Sequence, residues 1–169
     1  APTNIVATRG NGEATITFTP PVNNGGSSIT YYTVTSSGGQ TATGGSSPIT
    51  ITGLTNGTAY VFRVAATNEA GLGAYSAASA ARTPVGAPGA PTNMAGVAGN
   101  AQVALTWSAP VSNGGSAITD YVIQYSSNSG STWTTFADTV STATSVTVTG
   151  LTNGTAYLFR VAAKNAVGT

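Results

Sequence analysis

Hydrophobic and polar residues alternate with a period of two along most of the chain. Segments 14–19 and 103–108 alternate apolar side chains with small or hydroxyl-bearing ones, and the longest such segment, 60–67, places Tyr60 and Phe62 on one face. Because side chains two residues apart lie on the same side of a strand, these segments predict half-buried β-strands. No segment carries the sustained apolar stripe that predicts an amphipathic helix.

The chain also contains an internal repeat. Residues 1–4 recur at 90–93, and residues 53–60 recur unchanged at 150–157. The offset between the copies grows from 89 to 97 residues, so the second copy carries an insertion of eight residues, around 126–141. The repeat predicts two tandem domains with the same elements.

The first predicted domain covers 1–84 and the second covers 90–169, joined by a Pro- and Gly-containing linker at 85–89. Within each domain, turn residues separate short predicted strands about every ten residues. This spacing is typical of an antiparallel β-sandwich. The predicted fold class is therefore all-β, with two sandwiches in tandem.

Both copies carry one ordered set of residues. In the first copy the set is Pro2, Phe18, Tyr32, Leu54, Tyr60, Val64, Asn68 and Gly71, and in the second it is Pro91, Trp107, Tyr121, Leu151, Tyr157, Val161, Asn165 and Gly168. The set resembles the fibronectin type III family over nearly the whole chain, with Phe18 standing where the family has Trp. The resemblance implies an immunoglobulin-like sandwich in each copy.

Two groups of aromatic residues have structural roles in this predicted sandwich. Tyr60 and Tyr157 follow the turn leucine by six residues, which predicts a tyrosine corner whose hydroxyl bonds to the backbone of the preceding turn. Four further aromatics are predicted to lie in the cores: Phe18, Tyr32, Trp107 and Tyr121.

The two copies end differently. Residues 73–84 supply a predicted seventh strand to the first copy, whereas the second copy stops at Thr169, the counterpart of Leu72. The second sandwich therefore lacks its last strand, and the edge of the predicted strand at 156–165 is unpaired. Three explanations stay open: the natural chain continues, a partner chain donates the strand, or the domain tolerates the gap.

Composition narrows the function. The chain has nine charged side chains with a net charge of +1, and it has no His and no Cys. This excludes the basic clusters of nucleic-acid and polybasic membrane sites, and it removes the commonest general base, the thiol nucleophile and the usual zinc ligands. The four carboxylates, Glu13, Glu69, Asp120 and Asp138, are scattered. We expect no enzyme activity, no cofactor, no metal site and no membrane insertion.

Three aromatics at or near the insertion are candidate binding residues. Trp133, Phe136 and Tyr125 could form an aromatic surface for a sugar ring, although packing on the sheet is the favoured interpretation. Arg63 and Arg160 occupy equivalent outward positions, for which we predict a solvated face or contact with an aromatic ring. The Asn-Gly-Thr segments at 56–58 and 153–155 match a glycosylation pattern, but turn geometry explains them better.

The resemblance is strongest to Gly-, Ser- and Thr-rich copies of the family in bacterial extracellular proteins and bacteriophage virions. It implies a non-catalytic structural, spacer or adhesion module of a larger extracellular, cell-surface, filament or virion assembly, with strand complementation as one means of assembly. The implied partners are other protein subunits or copies of the chain. The alternative is an accessory, carbohydrate-contacting module of a secreted polysaccharide-degrading enzyme.

Overall fold

The structure is a computed structural model that describes all residues 1–169. The chain folds into two compact units, Ala1–Gly86 and Ala87–Thr169, and every regular element is a β-strand. The predicted all-β fold in two tandem domains is therefore confirmed. The chain contains no helix with the length and apolar character needed to cross a membrane.

The first unit is a sandwich of two antiparallel sheets. Its strands are β1 (Thr3–Arg9), β2 (Glu13–Thr19), β3 (Tyr31–Ser36), β4 (Thr41–Gly44), β5 (Ile49–Thr52), β6 (Phe62–Asn68) and β7 (Gly71–Leu72). One sheet has the order β1-β2-β5 and the other β4-β3-β6-β7. Alternation places Ile16 of β2 and Val34 of β3 inside, where both are fully buried. Each such side chain stabilises the fold by about 1.5–3 kcal/mol.

The second unit repeats this plan with one strand fewer. Its strands are β8 (Thr92–Gly99), β9 (Gln102–Ser108), β10 (Ile118–Ser126), β11 (Thr134–Thr135), β12 (Ser145–Thr149) and β13 (Leu158–Asn165). The sheets have the orders β12-β9-β8 and β11-β10-β13. The inserted residues lie in the connection from β10 to β12, and β10 is three residues longer than its counterpart β3.

The predicted seventh strand of the first unit is present in an irregular form. Residues 73–82, which we call the edge segment, run beside β6 but form only one isolated bridge, from Tyr60 to Arg82. Every third residue of the segment is hydrogen-bonded to every second residue of β6 or of the residues just before it. The N–H groups of residues 73, 76, 79 and 82 donate to the carbonyls of residues 66, 64, 62 and 60. This three-to-two register inserts extra residues, as a bulge does, so a regular ladder cannot form.

Candidate functional site

The four predicted core aromatics lie in the cores as two matched pairs. The ring centroids of Phe18 and Tyr32 are 4.8 Å apart, and those of Trp107 and Tyr121 are 5.3 Å apart. All four side chains are buried. The indole N–H of Trp107 has no hydrogen-bond acceptor, a cost that the Phe18 ring avoids.

Each unit has a tyrosine whose hydroxyl is bonded to the turn before it. The Tyr60 hydroxyl accepts the N–H of Thr55 at 3.1 Å, and the Tyr157 hydroxyl accepts the N–H of Thr152 at the same distance. The N–H of Thr55 stabilises the phenolate form and lowers the pKa of Tyr60 below its ordinary value. This geometry is that of the tyrosine corner.

The Asn of each Asn-Gly-Thr segment ties two loops together. The Asn56 side chain accepts the N–H of Gly12 at 2.9 Å and donates to Asn11 at 2.7 Å. Asn153 makes the same two contacts in the second unit. Each amide group therefore uses both its oxygen and its nitrogen in hydrogen bonds within its own unit. These hydrogen bonds were not predicted from the sequence, although both asparagines recur in the second copy. Asn11 corresponds to Asn100 at the offset of 89 residues, and Asn56 corresponds to Asn153 at the offset of 97 residues.

The three aromatics at the insertion make different contacts. Tyr125 and Phe136 are partly buried against the core of the second unit, and the Tyr125 ring lies 5.9 Å from that of Tyr157 in an edge-to-face arrangement. Trp133 is partly exposed, as these two rings are, and its ring contacts Arg160.

Trp133 is in contact with an arginine. The guanidinium carbon of Arg160 lies 4.2 Å from the centroid of the Trp133 ring, and the Arg160 Nε donates to Gln124 at 2.7 Å. The Gln124 amide in turn donates to Thr135 at 3.0 Å. The predicted contact of an outward arginine with an aromatic ring is thus present at Arg160, and the arginine covers one face of Trp133.

The acidic side chains are candidate metal ligands, and one of them caps a loop. No group of three or more Asp, Glu, His or Cys side chains could hold a metal ion. Asp120, one of the four scattered carboxylates, accepts the backbone N–H of Ser141 at 3.1 Å.

In its sheet, β13 has β10 as its only neighbouring strand. On its other side, the N–H of Asn165 donates to the carbonyl of Gly168 at 2.9 Å. N–H and C=O groups alternate between the two sides of an antiparallel strand. Those of Phe159 and Val161 point outward, because their counterparts Phe62 and Val64 bond to the edge segment in the first unit. We call this side of β13 the open edge.

The open edge borders an apolar groove. Met94 and Gly96 of β8, Leu105 of β9, and Leu158 and Phe159 of β13 are among the residues that line it, and its volume is about 380 Å³. Leu158 is 50% exposed, and all eight residues of β8 are exposed. In the first unit the edge segment lies at the corresponding position.

The sandwich architecture, the matched aromatic pairs and the tyrosine corners define an immunoglobulin-like class of module. The model of the fibronectin type III domain matches residues 1–82 and 89–169. The chain belongs to the fibronectin type III family, whose domains are generally non-catalytic.

The chain is similar to parts of much longer proteins. It is 34% identical over 116 residues to the cardiac-type myosin-binding protein C of Rattus norvegicus, covering 68% of this chain and 9% of that protein. It is 40% identical over 127 residues to Chitinase A1 of Niallia circulans, covering 70% of this chain and 17% of that protein. The similarity therefore concerns a small part of these longer proteins and not their whole length.

Solved structures agree on the fold. The crystal structure of the chicken CNTN1 FN1-FN3 domains matches 99% of this chain and 62% of that chain, with a TM-score of 0.53 and 19% identity. A titin domain segment matches with a TM-score of 0.52 and 21% identity, covering 99% of this chain and 62% of that chain.

Proposed function

We propose that the chain is a non-catalytic structural module of the bacterial extracellular or bacteriophage type. It acts as a spacer or adhesion unit in a larger cell-surface, filament or virion assembly, and its partners are other protein subunits or copies of itself. The observation that carries this proposal is that both units match the fibronectin type III domain, over residues 1–82 and 89–169, and repeat one sandwich plan in tandem.

The surface composition supports the same proposal. Nine charged side chains among 169 residues give little electrostatic repulsion between neighbouring modules.

The location of the native protein tests this proposal. Antibodies raised against the chain should label the outer surface of cells, extracellular filaments or virions of the source in immunogold electron micrographs. Pre-immune serum provides the control. Labelling confined to the cell interior would contradict the proposed assembly role.

A second candidate is an accessory module of a secreted polysaccharide-degrading enzyme. It is favoured by the similarity to Chitinase A1 and to Endoglucanase B of Cellulomonas fimi, which is 37% identical over 127 residues that cover 71% of this chain and 12% of that protein. The residue proposed to contact a sugar ring is Trp133, with Tyr125 and Phe136 supporting it from the core side.

Retention on insoluble chitin and cellulose tests this second candidate. Trp133→Ala should reduce retention, whereas Trp133→Phe should preserve part of it because a ring remains available for stacking. Equal retention of the two variants and the original chain would remove Trp133 from consideration. Circular dichroism checks that both variants remain folded.

A further inference from the structure

Arg63 and Arg160 occupy the same outward position in the two units, but their surroundings differ. In the second unit, the Arg160 Nε donates to the Gln124 side chain at 2.7 Å, and the guanidinium carbon lies 4.2 Å from the centroid of the Trp133 ring. The guanidinium of Arg63 makes no ion pair, no hydrogen bond and no contact of this kind with an aromatic ring. All the donors of the Arg63 side chain are therefore free.

Two differences in sequence produce this contrast. In the paired strands, Thr35 lies opposite Arg63, whereas Gln124 lies opposite Arg160. A threonine side chain is too short to bring an acceptor to the guanidinium as glutamine does. Trp133 belongs to the insertion of the second copy, so the first copy has no ring at the corresponding place. The first unit therefore lacks both groups that cover the arginine in the second.

A groove lies beside Arg63 on the outer face of the first unit. Residues of β3, of β6 and its preceding residue, and of the edge segment line this groove, which we call the outer groove: Thr35, Ser36, Ser37, Val61, Arg63 and Tyr75. Its volume is about 420 Å³, which is in the range of pockets that bind small molecules. Arg63 is the only charged residue in this lining.

The outer groove offers a ring and hydroxyl groups next to the cation. The Tyr75 side chain is 42% exposed, and its hydroxyl makes no hydrogen bond. The Thr35 Oγ1 also has no hydrogen-bond partner, so turning it toward the groove would break no hydrogen bond. The Ser37 Oγ accepts the N–H of Val61 at 3.3 Å, which leaves its own O–H as a donor. A bound molecule would therefore meet a positive charge, an aromatic face and hydroxyls.

We propose that the outer groove binds a sugar ring that carries a carboxylate, as in a polyuronate. The carboxylate accepts hydrogen bonds from the guanidinium of Arg63, as the Gln124 oxygen does from Arg160. The C–H face of the sugar packs on the Tyr75 ring, and its hydroxyls bond to Ser37 and Thr35. This inference goes beyond the proposed role as a spacer or adhesion unit, which requires no such ligand.

The charge and shape of the lining favour a carboxylated ring over a small inorganic anion. A carboxylate can accept two parallel N–H groups of one guanidinium, and such charge-assisted bonds are about twice as strong as neutral ones. An inorganic phosphate could also bond to Arg63, but it would leave Val61 and the Tyr75 ring uncovered. A sugar ring buries these apolar groups while its carboxylate meets the charge.

The arrangement of the strands favours a saccharide over an acidic polypeptide. A polypeptide strand binds a sheet through free main-chain groups at its edge. The outer groove lies on the face of the sheet, where β3 and β6 are paired with each other and the N–H of Ser37 donates to the carbonyl of Val61 at 2.9 Å. The groups that remain for a ligand are side chains, and hydroxyls among them match the hydroxyls of a sugar.

Titration of the intact chain with short oligogalacturonates tests the proposal. NMR should show the largest shifts of backbone amides at Thr35, Arg63 and Tyr75, and calorimetry gives the affinity. The methyl-esterified form of the same oligomers keeps the sugar rings and removes their charge. We expect it to bind at least about tenfold more weakly, because hydrogen bonds between charged groups contribute more than neutral ones.

Four variants of the chain separate the contributions of the charge and the ring. Arg63→Gln should weaken binding at least about tenfold, and Tyr75→Ala about fivefold, whereas Tyr75→Phe keeps the ring and should cost less than about twofold. Lys164→Gln is the matched control, because it removes one positive charge from an exposed residue that does not line the outer groove. It should leave the affinity unchanged. Circular dichroism checks that all four variants are folded.

Three outcomes would overturn the inference. The esterified oligomers could bind equally well, or Arg63→Gln and Lys164→Gln could weaken binding equally, which would indicate a general effect of charge. A glutamate-rich peptide could also produce the same shifts with equal affinity, which would make the groove a site for acidic polypeptides. None of these outcomes decides the location of the native protein, so the proposed assembly role is judged separately by immunogold labelling.

Discussion

The Ser76 Oγ lies 3.0 Å from the backbone nitrogen of Val64 and accepts its N–H, a position that a main-chain carbonyl occupies in a regular ladder. Val64 is fully buried, so its N–H cannot turn to water instead. A hydroxyl side chain in the edge segment is therefore part of the main-chain hydrogen bonding of the sandwich. The same holds for Ser79 and Phe62.

Ser76→Ala should destabilise the first unit by about 1–3 kcal/mol, because it leaves the buried N–H of Val64 without an acceptor. Urea unfolding followed by far-UV circular dichroism measures the loss, and exchange of the Val64 amide assigns it to this unit. Ser28→Ala is the matched control, because Ser28 is exposed and should change stability by less than about 0.5 kcal/mol. Equal effects of the two substitutions would contradict the role of the hydroxyl.

The second unit should unfold before the first. Phe159 and Val161 are only partly buried, whereas Phe62 and Val64 are fully buried, so the second unit gains less from apolar burial along this strand. Both tryptophans, Trp107 and Trp133, lie in the second unit. The fluorescence midpoint in urea should therefore be lower than that of the final transition seen by circular dichroism. A single coincident transition would count against this order.

Much of the fold could be predicted because it depends on alternation, which is a local property. Ile16 and Phe18 lie two residues apart on a strand with one buried face, so their positions inside follow from the pattern alone. The tandem repeat then supported the same assignment in the second copy. The sequence predicts a seventh strand at 73–84 but not its irregular register, because that register depends on hydrogen bonds with β6.

The candidate site, like the fold, could be predicted only in part from the sequence. The tyrosine corners could be predicted from the repeat, since residues 53–60 recur unchanged at 150–157. The hydroxyl acceptors could not, because a spacing of three residues does not match the period of two that a strand imposes. The contact of Trp133 with Arg160 also depends on tertiary structure, because Trp133 lies just before β11 and Arg160 lies on β13.

Trp107→Phe should be tolerated far better than Trp107→Ala. The first unit already places Phe18 against Tyr32 at the equivalent position, and the smaller ring removes an indole N–H that has no acceptor. We expect a loss of less than about 1.5 kcal/mol for Phe and about 3–5 kcal/mol for Ala. Circular dichroism in urea measures both. Similar losses for the two variants would show that the indole shape itself is required.

Ala101→Gly should stabilise the second unit. Ala101 has a φ of 53°, and its counterpart Gly12 has a φ of 67°. The left-handed conformation costs a residue with a Cβ about 1–2 kcal/mol, whereas glycine adopts it freely. The N–H of Ala101 donates to Asn153 at 2.8 Å, and this bond is kept in the variant. After the greater flexibility of glycine in the unfolded chain is counted, the expected gain is about 0.5–1 kcal/mol.

Tryptophan fluorescence in urea measures this gain, since both tryptophans report on the second unit. Ala104→Gly is the matched control: Ala104 is exposed on β9 and has no positive φ, so glycine there should cost about 0.5–1 kcal/mol. Gly12→Ala should reverse the effect in the first unit, where the added Cβ would meet only the Leu54 carbonyl, at 3.5 Å. The loss there would then come from backbone conformation rather than from a clash. If Ala101→Gly lowers the midpoint as Ala104→Gly does, the left-handed backbone at Ala101 is not a source of strain.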